Sequence, residues 1–403
     1  MLVYKVWRER EDDILLSGCL STINIIMSSS LRPQFNKLAQ DLFLTFAPKK
    51  ENEEDDVIMG TECLRMGLLA IYFGTNGVTR SNLDKKNFSK VFEFQSSSSS
   101  SSSTAAIVLL SRRDIGDAKQ LFVTQVKEKC TRLFWYSCIP RYSINTEEKR
   151  MRFASKINKW IDIKSGGSMQ SIMSYEDMNL YDTSQPMKLV IVTQFRGSWE
   201  HPFTDGTIKS TFYLSDSKTE VNMMNNTSST YALVNIDMEK KLDATVVKFP
   251  YRDNFGAMVV IMPNDPADSN ELFDIFQNLE LENLFNSFES VDCNSQSMPK
   301  FSTTTKIPLN EGMALNDNLR EFVAKTADFS NMFEGRILGD MISFSLLTTI
   351  ENTEYGTEVI AKMEMDAFDG CLKGRNICLD KPFLYFIVDS ENCIFSVGMF
   401  FGK

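Results

Sequence analysis

Apolar residues recur at helical spacing in several stretches of the chain. In the first stretch they fall at i, i+3, i+4, i+7, i+8 and i+11, and Pro33 stands near the first turn, as in an amphipathic helix. Its apolar members are Phe35, Leu38, Ala39, Leu42, Phe43 and Phe46. Related patterns predict a helix through Tyr72 that Gly74 and Gly77 terminate, and further helices over 153–161, 272–279 and 315–323.

Short apolar runs rich in aromatic and β-branched residues predict buried strands. The predicted strands cover 189–192, 211–214, 245–249, 256–262, 383–388 and 393–400. The last two form a hairpin around residues 389–392. Helices concentrate in the first half, and strands follow in the second half without a regular βαβ repeat. The pattern therefore favours an α+β fold with large, mostly antiparallel sheets.

Composition argues against several classes of binding partner for this protein. The chain has 403 residues, of which 43% are hydrophobic, and this is enough for a sizeable core. The formal net charge of −10 argues against a nucleic-acid or anionic-membrane partner, because an acidic surface repels both. The sequence contains no run of about 18 apolar residues that could form a transmembrane segment. Eight cysteines without a C-x-x-C pair, beside one histidine, predict neither a metal site nor a cofactor.

The sequence also offers little basis for catalysis. His201 is the only histidine, and Glu200 and Pro202 flank it in what reads as a structural turn. A Ser-His-Asp or Cys-His site would have to use this residue. The chain carries no G-x-S-x-G elbow, H-E-x-x-H pair or glycine-rich phosphate loop. We therefore do not expect an enzyme.

Two segments fall outside the pattern of packed elements. Residues 1–29 begin with mixed charge and carry polar residues inside their apolar part, unlike a signal peptide, and we interpret them as an N-terminal appendage. Residues 96–103 are eight consecutive serines. Such a run cannot bury apolar surface, so it predicts a flexible loop insertion.

The stretch Glu354–Lys381 combines a strand pattern with a loop composition. Small or apolar residues alternate with mainly charged ones, and this period of two is typical of a strand with one buried face. The small or apolar positions are Thr357, Val359, Ala361, Met363, Met365 and Ala367. The segment then ends in residues 369–375, whose two glycines are typical of an exposed loop. Such a stretch is able to exist both as a loop and as a strand.

Several motifs, in the same order along the chain, resemble those of the serpin family. At the base of the loop, Gly356-Thr357-Glu358 is similar to the family's hinge, and the closing sequence DKPFL at 380–384 is similar to its C-terminal signature. Five further segments fit: MGLLAIYFGTNGVT at 66–79, FRGSWEHPF at 195–203, VKFPY at 247–251, ADFS at 327–330 and IFSVG at 394–398. The resemblance covers roughly Pro33 to Gly398.

This resemblance implies a fold and a function. The fold is a single domain over 30–403 with three mostly antiparallel β-sheets, eight or nine helices and an exposed reactive loop over 354–381. The function is inhibition of a serine-type endopeptidase. In that mechanism the protease cleaves the loop as a suicide substrate, and the cleaved loop inserts as a strand into the central sheet of a metastable fold and traps the acyl-protease.

The resemblance also implies roles for individual loop residues. The hinge would be Gly356, Thr357 and Glu358. The inserting face would comprise Val359, Ala361, Met363, Met365 and Ala367. The reactive bond is expected at Gly370–Cys371, with Leu372, Lys373 and Arg375 as alternatives. A Lys or Arg at the cleaved position would direct the loop to trypsin-like proteases.

Departures from the family pattern keep a second function open. Val359 and Lys362 are bulkier than the small residues usual after the hinge, while Cys63 and Thr193 replace residues usual beneath the central sheet. The alternative is a non-inhibitory serpin-fold binding or carrier protein whose loop is cleaved as a substrate. The resemblance implies a monomeric, extracellular protein, whereas the lack of a clear signal peptide favours the cytoplasm.

Overall fold

The computed structural model describes most of the chain. The described residues are 32–47, 55–86, 88, 103–111, 118–130, 133–138, 146–164, 173–178, 187–227, 231–333, 337–357 and 374–403. The N-terminal appendage, residues 96–102 of the serine run and residues 358–373 of the loop lie outside them. The predicted insertion included Ser103. In the structure Ser103 is instead the first residue of strand β2, and its backbone pairs with that of Phe195.

Ten α-helices lie within the described residues. Helix α1 spans 32–46 and buries the face that its spacing predicts, with Phe43 packed against Phe273 and Phe276. The other helices are α2 (Thr61–Gly74), α3 (Gly77–Lys85), α4 (Gln120–Lys129), α5 (Glu147–Lys164), α6 (Ile236–Leu242), α7 (Ser269–Gln277), α8 (Leu281–Asn286), α9 (Asn310–Leu315) and α10 (Arg320–Val323).

The region that contains α9 and α10 forms two short helices where the sequence predicted one. The sequence pattern predicted one helix over 315–323, and the family resemblance implied eight or nine helices in all. In the structure the helix instead ends before Asn316, whose backbone is extended. The Asn316 side chain accepts a hydrogen bond from the N–H of Asn318 at 3.0 Å. Such a local bond competes with the helix. Leu315 is consequently exposed, whereas Leu319 and Phe322 are buried.

The larger sheet contains ten strands. Its order is β1 (Val57–Met59), β17 (Ile394–Phe400), β16 (Phe383–Val388), β10 (Ala257–Pro263), β9 (Ala244–Pro250), β8 (Tyr231–Val234), β11 (Glu289–Pro299), β7 (Lys218–Asn226) and β6 (Thr207–Tyr213), and β15 (Arg375–Cys378) pairs parallel with β11. Strand β11 pairs with β8 over its first residues and with β7 over its last. Strand β11 thus links two groups of strands, one through residues 289–292 and the other through residues 296–299. The expected number of three sheets stays a prediction.

The smaller sheet contains the remaining strands. Its order is β3 (Leu133–Cys138), β2 (Ser103–Ser111), β4 (Met187–Phe195), β13 (Ile342–Thr353), β14 (Gly356–Thr357) and β5 (Gly197–Ser198), and β12 (Phe301–Pro308) pairs with the free edge of β13. Most neighbouring strands in the two sheets are antiparallel, as predicted. The parallel pairs are β4 with β13, β2 with β3 and β11 with β15.

Helix α2 lies in the core between the two sheets. Nearly all of its residues are buried, which is typical of a helix with protein on every side. Helix α5 packs on the opposite face of the smaller sheet, where Ile157 and Ile161 meet Val190 and Val192 of β4. In the described part of the chain, no helix is both long and apolar enough to cross a membrane. Among those residues no three His, Cys, Asp or Glu side chains are grouped as metal ligands.

Candidate functional site

The seam is the boundary between β4 and β13 in the smaller sheet. The two strands run parallel and are directly paired, from Met187 with Ile342 to Gln194 with Thr349. Strand β12 pairs with the other edge of β13. Among the described residues no strand separates β4 from β13, so the sheet is closed along the seam.

Strand β14 occupies one end of this seam. After β13 the chain turns back, and Gly356–Thr357 pair antiparallel with β13 on one side and with β5 on the other. Because β5 follows β4 in the chain, β14 lies between the continuation of β4 and strand β13. A Cβ atom at Gly356 would lie 2.1 Å from the carbonyl oxygen of Gly197, and the φ angle of Gly356 is +153°. Only glycine fits this close approach.

Thr357 is held by a stack of aromatic residues. It is fully buried, and its Oγ1 lies 2.8 Å from the hydroxyl of Tyr251. The Tyr251 ring stacks on Trp199 with a centroid distance of 4.8 Å. Trp199 in turn donates its indole N–H to the carbonyl oxygen of Thr353 at 3.0 Å. Burial raises the pKa of Tyr251, so the hydroxyl stays protonated and remains able to donate to Thr357.

Glu354 fixes the turn between β13 and β14. Its carboxylate accepts hydrogen bonds from Thr207 Oγ1 at 2.6 Å and from Lys300 Nζ at 2.9 Å. Burial raises the pKa of Glu354, but these two hydrogen bonds outweigh the effect and hold the pKa below its ordinary value. The turn is therefore tied to strand β6 and to the connection before β12.

The N-terminal end of α2 lies beneath the seam and contacts both of its strands. Thr193 of β4 donates from Oγ1 to the Sγ of Cys63 at 2.8 Å, and the N–H of Gly60 donates to the Oγ1 of Thr348 in β13 at 3.0 Å. All four residues are buried. Opening the seam would therefore change polar contacts that have no water to replace them.

The distal end of the loop re-enters the larger sheet at Gly374. The N–H of Gly374 donates to Asn294 Oδ1 at 2.9 Å, and its carbonyl oxygen accepts from Asn294 Nδ2 at 2.6 Å. A Cβ atom at Gly374 would lie 2.8 Å from the backbone nitrogen of Cys293. Arg375 follows in β15 and forms two hydrogen bonds of 2.9 Å with the carboxylate of Glu239.

The structure thus places part of the predicted site at the two ends of the loop. Gly356 and Thr357 lie together at the seam, and Arg375 lies apart in the larger sheet. Glu358, the inserting face from Val359 to Ala367, and Gly370–Lys373 lie outside the described residues. His201 faces Tyr231, with Nε2 2.8 Å from the hydroxyl.

Sequence reasoning missed the residues that hold these ends. Tyr251 was noticed only as part of a family motif, while Asn294, Glu239 and Thr348 were not singled out. Asn294 carries a weak signal, since asparagine is depleted inside strands and one at such a position often has a specific partner. The other contacts have no signal in a single sequence, because their partners lie far apart in the chain.

Comparison with known proteins identifies the family. The family model described as Serpin (serine protease inhibitor) matches residues 33–402. The chain belongs to the serpin family. The leukocyte elastase inhibitor of Homo sapiens is 25% identical over 391 residues, which cover 90% of this chain and 97% of that protein. A serpin-like protein of Methanosarcina acetivorans is 23% identical over 418 residues, which cover 96% of this chain and 93% of that protein.

A solved structure shows the same fold. Thyroxine-binding globulin in complex with thyroxine matches this serpin with a TM-score of 0.67 and 17% identity, over 93% of this chain and 98% of that chain. The resemblance and the α+β serpin fold are therefore confirmed. Serpins are protease inhibitors and are generally not enzymes, although the thyroxine complex shows that the fold also serves a ligand-binding protein.

Proposed function

We propose that this serpin inhibits a serine protease as a suicide substrate, and that the cleaved loop inserts as a strand along the seam. The observation that carries the proposal is the register of β14. Two residues at the start of the loop already pair with β13 in the antiparallel direction that an inserted strand would continue. Each further residue would extend this ladder between β13 and β4.

The extended register supports the predicted inserting face. Thr357 pairs with Asn352, and opposite residues of an antiparallel pair point to the same face of the sheet. Continuing the ladder in steps of two would set Val359 opposite Ile350, Ala361 opposite Thr348, Met363 opposite Leu346, Met365 opposite Phe344 and Ala367 opposite Ile342. All five of these β13 residues are buried toward the core. Burying one Val or Met side chain contributes about 1.5–3 kcal/mol, which favours the inserted state.

The same register limits the position of the reactive bond. Ala367 would stand opposite Ile342, the first residue of β13, so insertion along the whole strand uses the loop up to that point. At the other end, Gly374 is already bound to Asn294. We therefore expect the cleaved bond to lie between residues 368 and 374. This range contains Gly370–Cys371, which remains our first choice, and the alternatives Leu372 and Lys373.

Arg375 fits the role of a cleaved residue less well. Its backbone belongs to β15 and pairs with Cys293, and its guanidinium group binds Glu239 through two hydrogen bonds. A protease needs an accessible peptide that it can bind in an extended form. If the target is trypsin-like, the register therefore favours Lys373 as the residue that enters its acidic specificity pocket.

Incubation with trypsin-, chymotrypsin- and elastase-like proteases tests the proposal. We expect a covalent complex that survives SDS, and mass spectrometry of the released C-terminal fragment should identify the bond. The cleaved protein should also unfold at a much higher temperature than the intact one. Clean cleavage that leaves free, active protease would instead support the alternative, a non-inhibitory binding or carrier protein. The monomeric state and the compartment stay predictions.

Two lysine substitutions at neighbouring positions test the register. Met363→Lys would place a charge opposite Leu346, which is fully buried, so the cleaved loop should fail to insert and the protease should be released. Glu364→Lys is the matched control, because position 364 would stand opposite the half-buried Ser345 on the other face. This variant should still form the complex. Equal inhibition by the two variants would contradict the proposed register.

A further inference from the structure

A short segment before β4 lies over the outer face of the smaller sheet. Met173 and Met178 are buried there beside Val190 and Val192 of β4. The side chain of Asn158 in α5 binds both backbone groups of Met173, at 2.7 and 2.9 Å. The segment 173–178 is therefore fixed to α5 and packed on β4.

Asp177 in this segment forms an ion pair with Lys306 of β12. The Asp177 side chain is 8% exposed, and its second carboxylate oxygen accepts hydrogen bonds from the N–H of Ser174 at 2.9 Å and the hydroxyl of Ser174 at 3.0 Å. Burial raises the pKa of Asp177, but the bonds from Lys306 and Ser174 outweigh it and hold the pKa below its ordinary value. The carboxylate is therefore charged and well ordered at neutral pH.

Lys306 and Asp177 lie on opposite sides of strand β13. Lys306 pairs with Leu347 of β13, and β12 lies on the edge of β13 that faces away from β4. Asp177 belongs to the segment on the β4 side. The ion pair therefore crosses β13 and joins the two parts of the sheet that meet at the seam.

We propose that the Asp177–Lys306 ion pair is a strap across the seam that must break before a strand can insert, and that it limits the rate of insertion. This inference rests on the proposed function. An inserted strand would move β13 and β12 away from β4 by one strand spacing, about 4.8 Å, while Asn158 keeps the Asp177 segment on α5. The Asp177 carboxylate and the Lys306 ammonium group would then be too far apart to form an ion pair.

A second lysine lies on the β4 side of the seam. Lys188 belongs to β4, and burial lowers its pKa while the charge of Asp177 opposes this effect.

The rate of peptide insertion tests the strap directly. The probe is a synthetic acetylated peptide with the sequence of residues 357–368, which would occupy the inserted-strand position without any protease. Asp177→Asn and Lys306→Met should take up the peptide about fivefold to tenfold faster than the wild type, because one charge-assisted contact no longer opposes opening. Arg152→Met is the control: it removes an ion pair between Arg152 and Glu148 that lies within α5 and does not cross the seam.

Melting temperatures separate a strap from a general stabilising contact. In Lys306→Met the intact protein should melt lower than the wild type, while the cleaved protein should melt at the same temperature, because the pair is absent after insertion. Lys306→Arg keeps the pair and should restore the slow wild-type rate. Equal rates in the wild type and both strap variants, or an equal loss of stability before and after cleavage, would overturn the strap. If the wild type neither binds the peptide nor gains stability on cleavage, the proposed function fails instead.

Discussion

The two ends of the proposed reactive loop are held in different ways. The proximal end is a two-residue strand that fits between β13 and β5. The hydroxyls of Tyr251 and Thr357 form a buried hydrogen bond there, and Thr353 Oγ1 donates to the carbonyl oxygen of Gly356 at 2.8 Å. The distal end is a four-residue strand whose ladder with β11 is reinforced by Asn294 and Glu239. The short ladder between β14 and β13 can be extended by adding further loop residues. At the distal end, any movement of β15 would break its contacts with Asn294 and Glu239. The difference supports a loop that moves at its proximal end and stays anchored at its distal end.

The largest effect is expected at the proximal glycine. Gly356→Ala should lower the free energy of unfolding by more than about 3 kcal/mol, because the new Cβ would meet the carbonyl oxygen of Gly197 in a strained backbone conformation. Gly206→Ala is the control, since Gly206 also has a positive φ, +97°, but has no neighbouring atom within 4 Å of a Cβ. Its cost should be about 1 kcal/mol. Equal losses in urea unfolding would mean that close packing does not hold the proximal end.

At the distal end, Asn294→Ala should cost about 2 kcal/mol. The substitution leaves the N–H and the carbonyl group of Gly374 without their side-chain partner at a part-buried position. Urea unfolding of the intact and the cleaved protein measures the effect. Both forms should lose the same amount, because the distal anchor is retained after insertion. A loss confined to the intact form would show that the distal end also moves, and the contrast between the two ends would then be wrong.

How far the fold could be predicted depended on which residues face the core. The strand Phe383–Val388 was found because all six of its residues are apolar and buried. Strand β12 was missed, although buried and exposed residues alternate along its whole length. Thr303 and Thr305 occupy two of its buried positions, and threonine is not counted as apolar in a hydrophobic pattern. The helix predicted over 315–323 failed because spacing alone does not reveal the turn at Asn316.

The site was predictable only where its pattern is local. The period of two in the loop marked Thr357 as an inward position, and Thr357 is fully buried in the structure. Its partner Tyr251 lies 106 residues away, and Asn294 lies 80 residues from Gly374. These contacts depend on how the two sheets pack, and a single sequence contains no direct record of that arrangement.

A smaller effect at the proximal end concerns the hydroxyl pair. Tyr251→Phe should cost about 1 kcal/mol in the intact protein, because the buried Thr357 hydroxyl loses its partner while the stacking on Trp199 is kept. Thr357→Val and the double variant complete a double-mutant cycle measured by urea unfolding. A coupling energy near zero would show that the two hydroxyls do not stabilise the proximal end.

The smallest expected effect is the pH dependence of the turn at Glu354. Its pKa in the folded protein lies below the ordinary value of 4.5, so its ion pair with Lys300 stabilises the fold above that pH, and the contribution is lost as the pH falls through the folded-state pKa. Because Lys300 is 42% exposed, Glu354→Gln should cost only about 0.5–1 kcal/mol at pH 7. The difference from the wild type should be smaller at an acid pH below 4.5 than at pH 7, and high salt should reduce it at pH 7. Glu220→Gln is the control, because its pair with Lys209 is largely exposed on both sides and should contribute little at either pH. A difference between Glu354→Gln and the wild type that is the same at both pH values would mean that the charge of Glu354 does not hold the turn.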